Sequence, residues 1–288
     1  MTTTSNIKIL VRGAYDLQKL RVSTGNRIAM NFRSKLGQGP GEKTEDALDA
    51  EALKVLANVK ESYRRLTDGL TKPIPAKFKG DGVIDTYTEA VLVSQYLGLE
   101  ANEKAQFKHL GKALEEYPIY TEFLKGVKGV GPAMAGVLIS ELDPHKAKYP
   151  SSFWKYAGLD VTKEGTGRSR KADSLEDREY VDKDGEVKTK KSLTYNPFLK
   201  TKLMGVLATA FLRAGENKYS TIYNDYKNRL QNRPDWKEKT KLHIHNASMR
   251  YMVKMFLVDL YTEWRTLEGL PVAAPYSEAK LGIKHDAA

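Results

Sequence analysis

The chain contains no cysteine, which excludes disulfides, a thiolate metal site and a cysteine nucleophile. No apolar run approaches the ~18 residues that a membrane-spanning helix needs. The opening Met1-Thr2-Thr3-Thr4-Ser5-Asn6 lacks the form of a signal peptide, so the expected location is the cytoplasm or nucleoid. Walker, dinucleotide-binding, EF-hand and HExxH patterns are absent, and no internal repeat of ~20–50 residues is evident. Acidic charge is in short supply, with 36 Asp and Glu against 47 Lys and Arg, a net charge of +11. That surplus favours an anionic partner. A membrane surface fits less well, because the basic residues are not gathered into one amphipathic segment. With 41% hydrophobic and 29% charged residues over 288 positions, the composition is that of a globular protein of one large domain or two.

The basic charge is concentrated in two places. Residues 1–39 carry seven basic side chains against Asp16 alone, and residues 196–254 hold 12 basic and four acidic. Two basic stretches around a more neutral middle suit a chain that grips nucleic acid by its ends, although a solvated basic helix face would look the same.

The most informative stretch is Leu124-Lys125-Gly126-Val127-Lys128-Gly129-Val130-Gly131-Pro132. Ile119, Phe123 and Val127 fall at i, i+4 spacing on a first helix, Gly129-Val130-Gly131 makes a tight turn, and Pro132 suits the first position of a second helix. Val130 would plug the groove between the two. Glycines that allow close backbone approach, together with the unpaired amides and positive dipole end of a helix start, make a phosphate nest. Lys125 and Lys128 beside it could reach the next phosphate. This reads as a helix-hairpin-helix over 119–142, and the plainer alternative is an ordinary helical corner with a Gly-Pro break. Such a motif predicts contact with a nucleic-acid backbone, without a base code.

Around it the chain reads as mainly helical. Helices are expected over 7–36, from Thr44 to Leu70, over 85–97 and over 101–116, giving a helical arm or bundle for residues 1–118 that could serve dimerisation. In the remaining domain, 119–288, short helix 151–159 stops at Gly158, Asn196-Pro197 starts an apolar helix through Phe211, and further helices cover 221–231 and 244–268. Residues 163–191 carry nine basic and eight acidic side chains, and Asp184-Gly185 between Tyr180-Val181 and Val187 suggests a small β-hairpin or else a flexible loop. Tyr219, Tyr223 and Tyr226 recur along one helix with Lys227 and Arg229. A core-facing stripe is the commoner meaning of such spacing, and base stacking the alternative. His243 and His245 point to different faces of a helix, which disfavours a shared metal; with Asn246 they read as a helix start that touches phosphate or caps the helix, with plain packing as the alternative.

The order of signals resembles the C-terminal half of the DEDD-type insertion-sequence transposases, the bridge recombinase family. The matching pieces are Gly129-Val130-Gly131-Pro132 followed by Ala135-Gly136-Val137-Leu138, then Phe153, Tyr156-Ala157-Gly158-Leu159, Asn196-Pro197-Phe198-Leu199, and Asn246-Ala247-Ser248-Met249-Arg250. The resemblance implies that this half contacts DNA and guide RNA and supplies a serine nucleophile just after the Tyr-Ala-Gly-Leu segment. An RNase-H-like domain would supply acidic metal ligands. The chain departs from that pattern twice. Its first 118 residues read as helical rather than β-rich, and the position of the serine falls in Glu164-Gly165-Thr166-Gly167-Arg168-Ser169, leaving Thr166 and Ser169 as hydroxyl candidates. A hydroxyl needs a base or metal to attack a phosphodiester, whereas Arg168, Arg170 and Lys171 would stabilise charge or simply bind DNA.

The expected protein is therefore a mainly α, DNA-binding relative of transposases. The residues expected on the backbone are Lys125, Lys128, Gly129, Val130, Gly131, Arg168, Arg170, Lys171, Lys200, Lys202, His243, His245, Asn246 and Arg250. No cofactor is expected for binding and Mg²⁺ only if the chain is catalytic, with a homodimer through the N-terminal helices supplying avidity. The alternatives are an active recombinase or metal-dependent nuclease, and a structured-RNA-binding protein.

Overall fold

The computed structural model describes residues 3–39, 47–69, 72–161, 167–171 and 175–274. They are mainly helical, with one two-stranded antiparallel sheet. Among them no helix is long and apolar enough to cross a membrane. The chain divides into two compact units, residues 9–110, and residues 1–8 with 111–288.

In the unit of residues 9–110, helix α1 (Thr3–Phe32) and helix α2 (Ala50–Leu66) contribute Ile28, Phe32, Val55, Leu56, Val59 and Tyr63 to a core shared with Ile84, Val93 and Tyr96. Helix α2 starts later than its periodicity suggests. Its cap is Asp49, whose carboxylate accepts the Ala52 N–H at 2.6 Å and takes two hydrogen bonds from the buried Arg33 guanidinium at 2.9 and 3.0 Å. Those partners, the Ala52 amide first, hold the Asp49 carboxyl below its ordinary range. The expected start at Thr44 lies outside the described residues. Where two helices were expected over 85–116, one continuous helix, α3 (Tyr87–Leu114), runs through Gly98. A mid-helix glycine costs only about 1 kcal/mol, and buried Tyr96, Glu103 and Leu110 outweigh it.

The pairing of α1 changes the meaning of the basic N-terminus. Arg21 is bound to Glu103, Arg33 to Asp49, and Lys35 to Asp85 and Glu89 at 3.0 and 2.7 Å. Much of that charge neutralises carboxylates within its own unit instead of facing a ligand.

The second unit holds helix α4 (Pro118–Glu122), helix α5 (Pro132–Glu141) and helix α6 (Pro150–Tyr156), followed by strands β1 (Glu176–Val181) and β2 (Val187–Ser192). Helix α7 (Pro197–Thr201) continues through a π-helical turn, Lys202–Leu207, into helix α8 (Ala208–Arg213). Helix α9 (Lys218–Asn232) begins three residues before its expected start because Asn217 and Ser220 form a capping box. Helix α10 (Lys241–Leu267) is likewise longer at its start, where the Thr240 hydroxyl accepts the His243 N–H at 3.2 Å. Leu199, Leu203, Leu207 and Phe211 are fully buried along the expected apolar face. Phe211 stacks on Tyr219 at 4.6 Å and meets Phe256 edge-on at 5.3 Å, so the tyrosine stripe of α9 begins in the core. Buried Arg265 donates to the carbonyls of Pro144, Ala147 and Pro271 at 2.6 to 2.8 Å, tying α10 to the segment that follows α5.

Candidate nucleic-acid interface

The first arm of the glycine hairpin is not one helix. After α4 the chain makes a 3-10 turn over Leu124–Gly126 and becomes extended at Val127. The residues it buries are Ile119, Tyr120 and Leu124, with Phe123 and Val127 only partly covered, so the expected i, i+4 face is replaced. Pro118 at its start and Gly126 at its end leave too few residues for a longer helix. Val130 is buried as expected, and its N–H donates to the Val127 carbonyl at 3.0 Å.

The two glycines do different work. At Gly129, φ is +94° and an added Cβ would lie 2.9 Å from Phe211 and 3.2 Å from the Ala210 backbone. Its bareness therefore serves packing against α8 and not approach of a ligand, which corrects half of the expected nest. Gly131 is exposed, with open space where a Cβ would be. It heads α5 with no side-chain cap, leaving first-turn amides pointing outward. Lys128 is exposed. Lys125 is exposed but paired, since Glu115 holds its ammonium at 2.8 Å and that hydrogen bond raises its pKa.

A denser arrangement lies beyond α6. Residue Gly167 pairs with Val161 in an antiparallel bridge, which directs Arg168 back to Asp160, Nε to Oδ2 at 3.1 Å. The other arm of the Arg168 guanidinium reaches Glu176 at 3.1 Å. Burial opposes the Arg168 charge, but Asp160 and Glu176 outweigh it and its pKa is raised. Lys200 of α7 donates to the Arg168 carbonyl at 2.5 Å and lies over the Tyr195 ring at 4.7 Å. Arg250 of α10 sits against Gly167, where a Cβ would come within 3.2 Å of its guanidinium. One turn further along α10, Lys254 lies over the Trp154 ring at 5.3 Å, while the Trp154 indole N–H donates to the Lys254 carbonyl at 3.1 Å.

These cations feel one another. Burial pulls the Lys200 pKa below its ordinary value and Arg250 and Arg170 push it further, against Asp160. Lys254 is lowered by burial and then by Arg250, again against Asp160. Arg168, Arg170, Lys200, Arg250 and Lys254 thus share the neighbourhood of Asp160 and Glu176, a surplus of positive charge. Asp160 Oδ2 takes the Arg168 hydrogen bond, while its buried Oδ1 has no hydrogen-bond partner among the described residues.

The sign of this effect can be measured. A lysine whose folded pKa is depressed makes stability rise with pH between that pKa and the ordinary value of 10.5. A bound polyanion restores the charge, so its affinity falls over the same interval. Comparing urea midpoints of the wild type with Lys200→Met/Lys254→Met should reveal this extra pH slope in the wild type only. Parallel pH profiles would contradict it.

The remaining expected residues divide. Ser169 lies between Arg168 and Arg170, half-buried, its Oγ accepting the Lys171 N–H at 3.1 Å. Arg170 and Lys171 are exposed. Thr166 lies outside the described residues. Lys202 lies over the Phe198 ring at 5.6 Å. Asn246 is one helical turn before Arg250 and shares its side of α10. The histidines have other partners: His245 Nδ1 is 2.6 Å from the Tyr223 hydroxyl, and the His243 ring meets Trp236 at 5.4 Å. Capping of α10 falls to Thr240 instead. Asp160 and Lys254 were missed, although the i, i+4 relation of Lys254 to Arg250 is readable in sequence.

Residues 121–179 match the model of the transposase IS116/IS110/IS902 family. The matched stretch contains the glycine hairpin, α5 and α6, and supplies Asp160, Arg168 and Arg170 to the cationic cluster. No curated protein and no solved structure matches the chain. Among the described residues no three His, Asp or Glu side chains come together in a group that could hold a metal ion.

Proposed function

We propose that this transposase-related chain binds DNA by its phosphate backbone, without independent catalysis. The observation that carries the reading is the cationic cluster. Arg168 is bonded to Asp160, Lys200 and Lys254 feel the same carboxylate, and burial and the neighbouring Arg250 lower the pKa of both lysines. Phosphate oxygens supply negative charge, and Arg–phosphate pairs are strong and directional. Exposed Lys128 and the uncapped amides at the head of α5 offer a second contact within the same unit, in the manner of a helix-hairpin-helix. Dimerisation through the N-terminal helices would add avidity, and exposed Ile9, Leu20 and Met30 on α1 suit such a contact.

The test is duplex binding over a salt series. Engagement of six to ten phosphates predicts a loss of ~10³-fold or more in affinity between ~50 and ~200 mM salt. The pair Lys200→Ala/Arg250→Ala should reduce the log–log slope by about 1.8 and weaken binding roughly 10- to 100-fold at low salt. A flat salt response in the wild type would sink the reading.

A second reading is favoured by Ser169, whose chain neighbours Arg168 and Arg170 belong to the cluster and whose Oγ accepts the Lys171 N–H. Here the chain is an active recombinase in which Ser169 attacks a phosphodiester, with carboxylates supplied by a partner. It predicts Mg²⁺-dependent nicking of supercoiled DNA that Ser169→Ala abolishes. Intact strands under those conditions favour the binding module. Binding of structured RNA in preference to duplex at matched salt would favour the third alternative.

A further inference from the structure

The β1–β2 hairpin buries almost nothing. Every residue of both strands is exposed except Ser192, which is half-buried. A two-stranded ribbon without a core face is marginal by itself, so packing does not account for it. Its composition is also uninformative, because acids and bases along residues 163–191 nearly cancel.

The register removes that balance. Antiparallel pairing sets Glu176 opposite Ser192, Arg178 opposite Lys190 and Tyr180 opposite Lys188, with Asp177–Lys191, Glu179–Thr189 and Val181–Val187 between them. Alternate pairs face opposite sides. One face therefore holds Arg178, Lys188 and Lys190 with a single carboxylate, and the other holds Asp177 and Glu179 with a single lysine. Asp182, at the turn, takes Lys188. Arg178 and Lys190 are left directly opposite each other, an arrangement that destabilises a hairpin, with no ion pair to either among the described residues. Lys190 lies over the Tyr180 ring at 4.6 Å. The one carboxylate of this face, Glu176, is bonded to Arg168 at 3.1 Å, so the basic face begins at the cationic cluster and its negative charge is already engaged there.

We infer that the β1–β2 hairpin is a DNA-gripping arm whose Arg178–Tyr180–Lys190 face carries duplex phosphate contacts outward from the Arg168–Lys200–Arg250 cluster. This rests on the reading of that cluster as a backbone site. A two-stranded ribbon fits the major groove of B-form DNA, whereas the narrow major groove of A-form RNA does not admit it. Six residues per strand give an arm of about 20 Å. The acidic face turns away from the phosphates and keeps the arm from binding flat on either side.

The experiment uses the full chain and a labelled DNA duplex, with anisotropy read over a salt series. Four proteins are compared: wild type, Arg178→Ala/Lys190→Ala, Lys191→Ala on the opposite face, and Lys200→Ala/Arg250→Ala. All the hairpin side chains changed are exposed, so circular dichroism should match the wild type and the melting temperature should not fall below it. The basic-face pair should lower the salt slope by about 1.8, so its deficit against wild type shrinks about 12-fold between ~50 and ~200 mM salt. Lys191→Ala should leave the slope unchanged. If the basic-face pair binds like wild type while the cluster pair is weakened, the arm is overturned and the cluster stands. If the cluster pair also binds like wild type, both fall. An equal loss from Lys191→Ala overturns the facial argument, and an equal loss on structured RNA overturns the assignment to duplex DNA.

Discussion

Gly158→Ala is expected to destabilise the protein by about 2–5 kcal/mol, a large share of the roughly 5–15 kcal/mol that holds a domain folded. Gly158 has φ +65° at the end of α6. The Leu159 N–H returns to the Trp154 carbonyl at 2.9 Å and the Gly158 N–H to Lys155 at 3.0 Å, the two bonds of a Schellman motif. A left-handed alanine costs about 1 kcal/mol or somewhat more. The larger cost is contact, since its Cβ would fall 2.5 Å from the Tyr195 ring. Gly215→Ala is the control: φ is +76° there too, but nothing lies within 4 Å of the added atom. Urea melts of the two variants should therefore differ by the cost of the Tyr195 clash alone, and equal losses would show that the ring moves aside freely. Because Lys200 lies over that ring, the damage should extend to DNA binding even where Gly158→Ala remains folded.

That glycine was legible in the sequence as a helix stop, and so were Val130 as a plug and the apolar face from Leu199 to Phe211, because each depends on near neighbours. What was not legible depends on distant partners. Arg21 and Arg33 read as free basic charge, yet Glu103 lies 82 residues from Arg21, and the Asp49 that holds Arg33 also caps α2. Lys125 read as a phosphate contact until Glu115, on the far side of Pro118, was found to hold it. Gly129 read as bare for a ligand, and its neighbour is α8.

The cluster lies between these cases. Arg168, Lys200 and Arg250 were each named from residues and resemblance, but the chain separates them widely. They meet near Asp160 because α10 packs on α6 and on the π-helical turn that continues α7. The hairpin is the sharper example: its turn signal was readable at Asp184-Gly185, and Gly185 does take φ +81°. The turn, however, spans Asp182–Glu186, with the Asp182 N–H bonded to the Glu186 carbonyl at 2.9 Å. That register puts Arg178 against Lys190, which composition alone conceals.

Asn196 should be the second most sensitive position, because it serves α7 at both ends of its side chain. Its Oδ1 accepts the Leu199 N–H at 3.1 Å and caps the helix; its Nδ2 donates to Glu141 Oε2 at 2.6 Å and to the Tyr156 hydroxyl at 3.2 Å. The Glu141 side chain is 1% exposed, and Lys8 Nζ lies 3.6 Å from its Oε2. Asn196→Ala removes a cap worth about 1 kcal/mol and a charge-assisted hydrogen bond worth roughly 1.5–3 kcal/mol, so a loss of about 2–4 kcal/mol is expected. Asn196→Asp separates the two roles. It keeps the capping oxygen but brings a half-buried second carboxylate against the buried Glu141, and like charges in contact disfavour ionisation of both. Its deficit should therefore be largest at neutral pH and shrink on acidification, as protonating either partner removes the repulsion, while the Asn196→Ala deficit should change much less. Denaturant midpoints of both variants at neutral and mildly acidic pH decide the matter. A pH-independent deficit in Asn196→Asp would mean that Glu141 turns away, and that the contact holding α7, and through it Lys200, is not the one described.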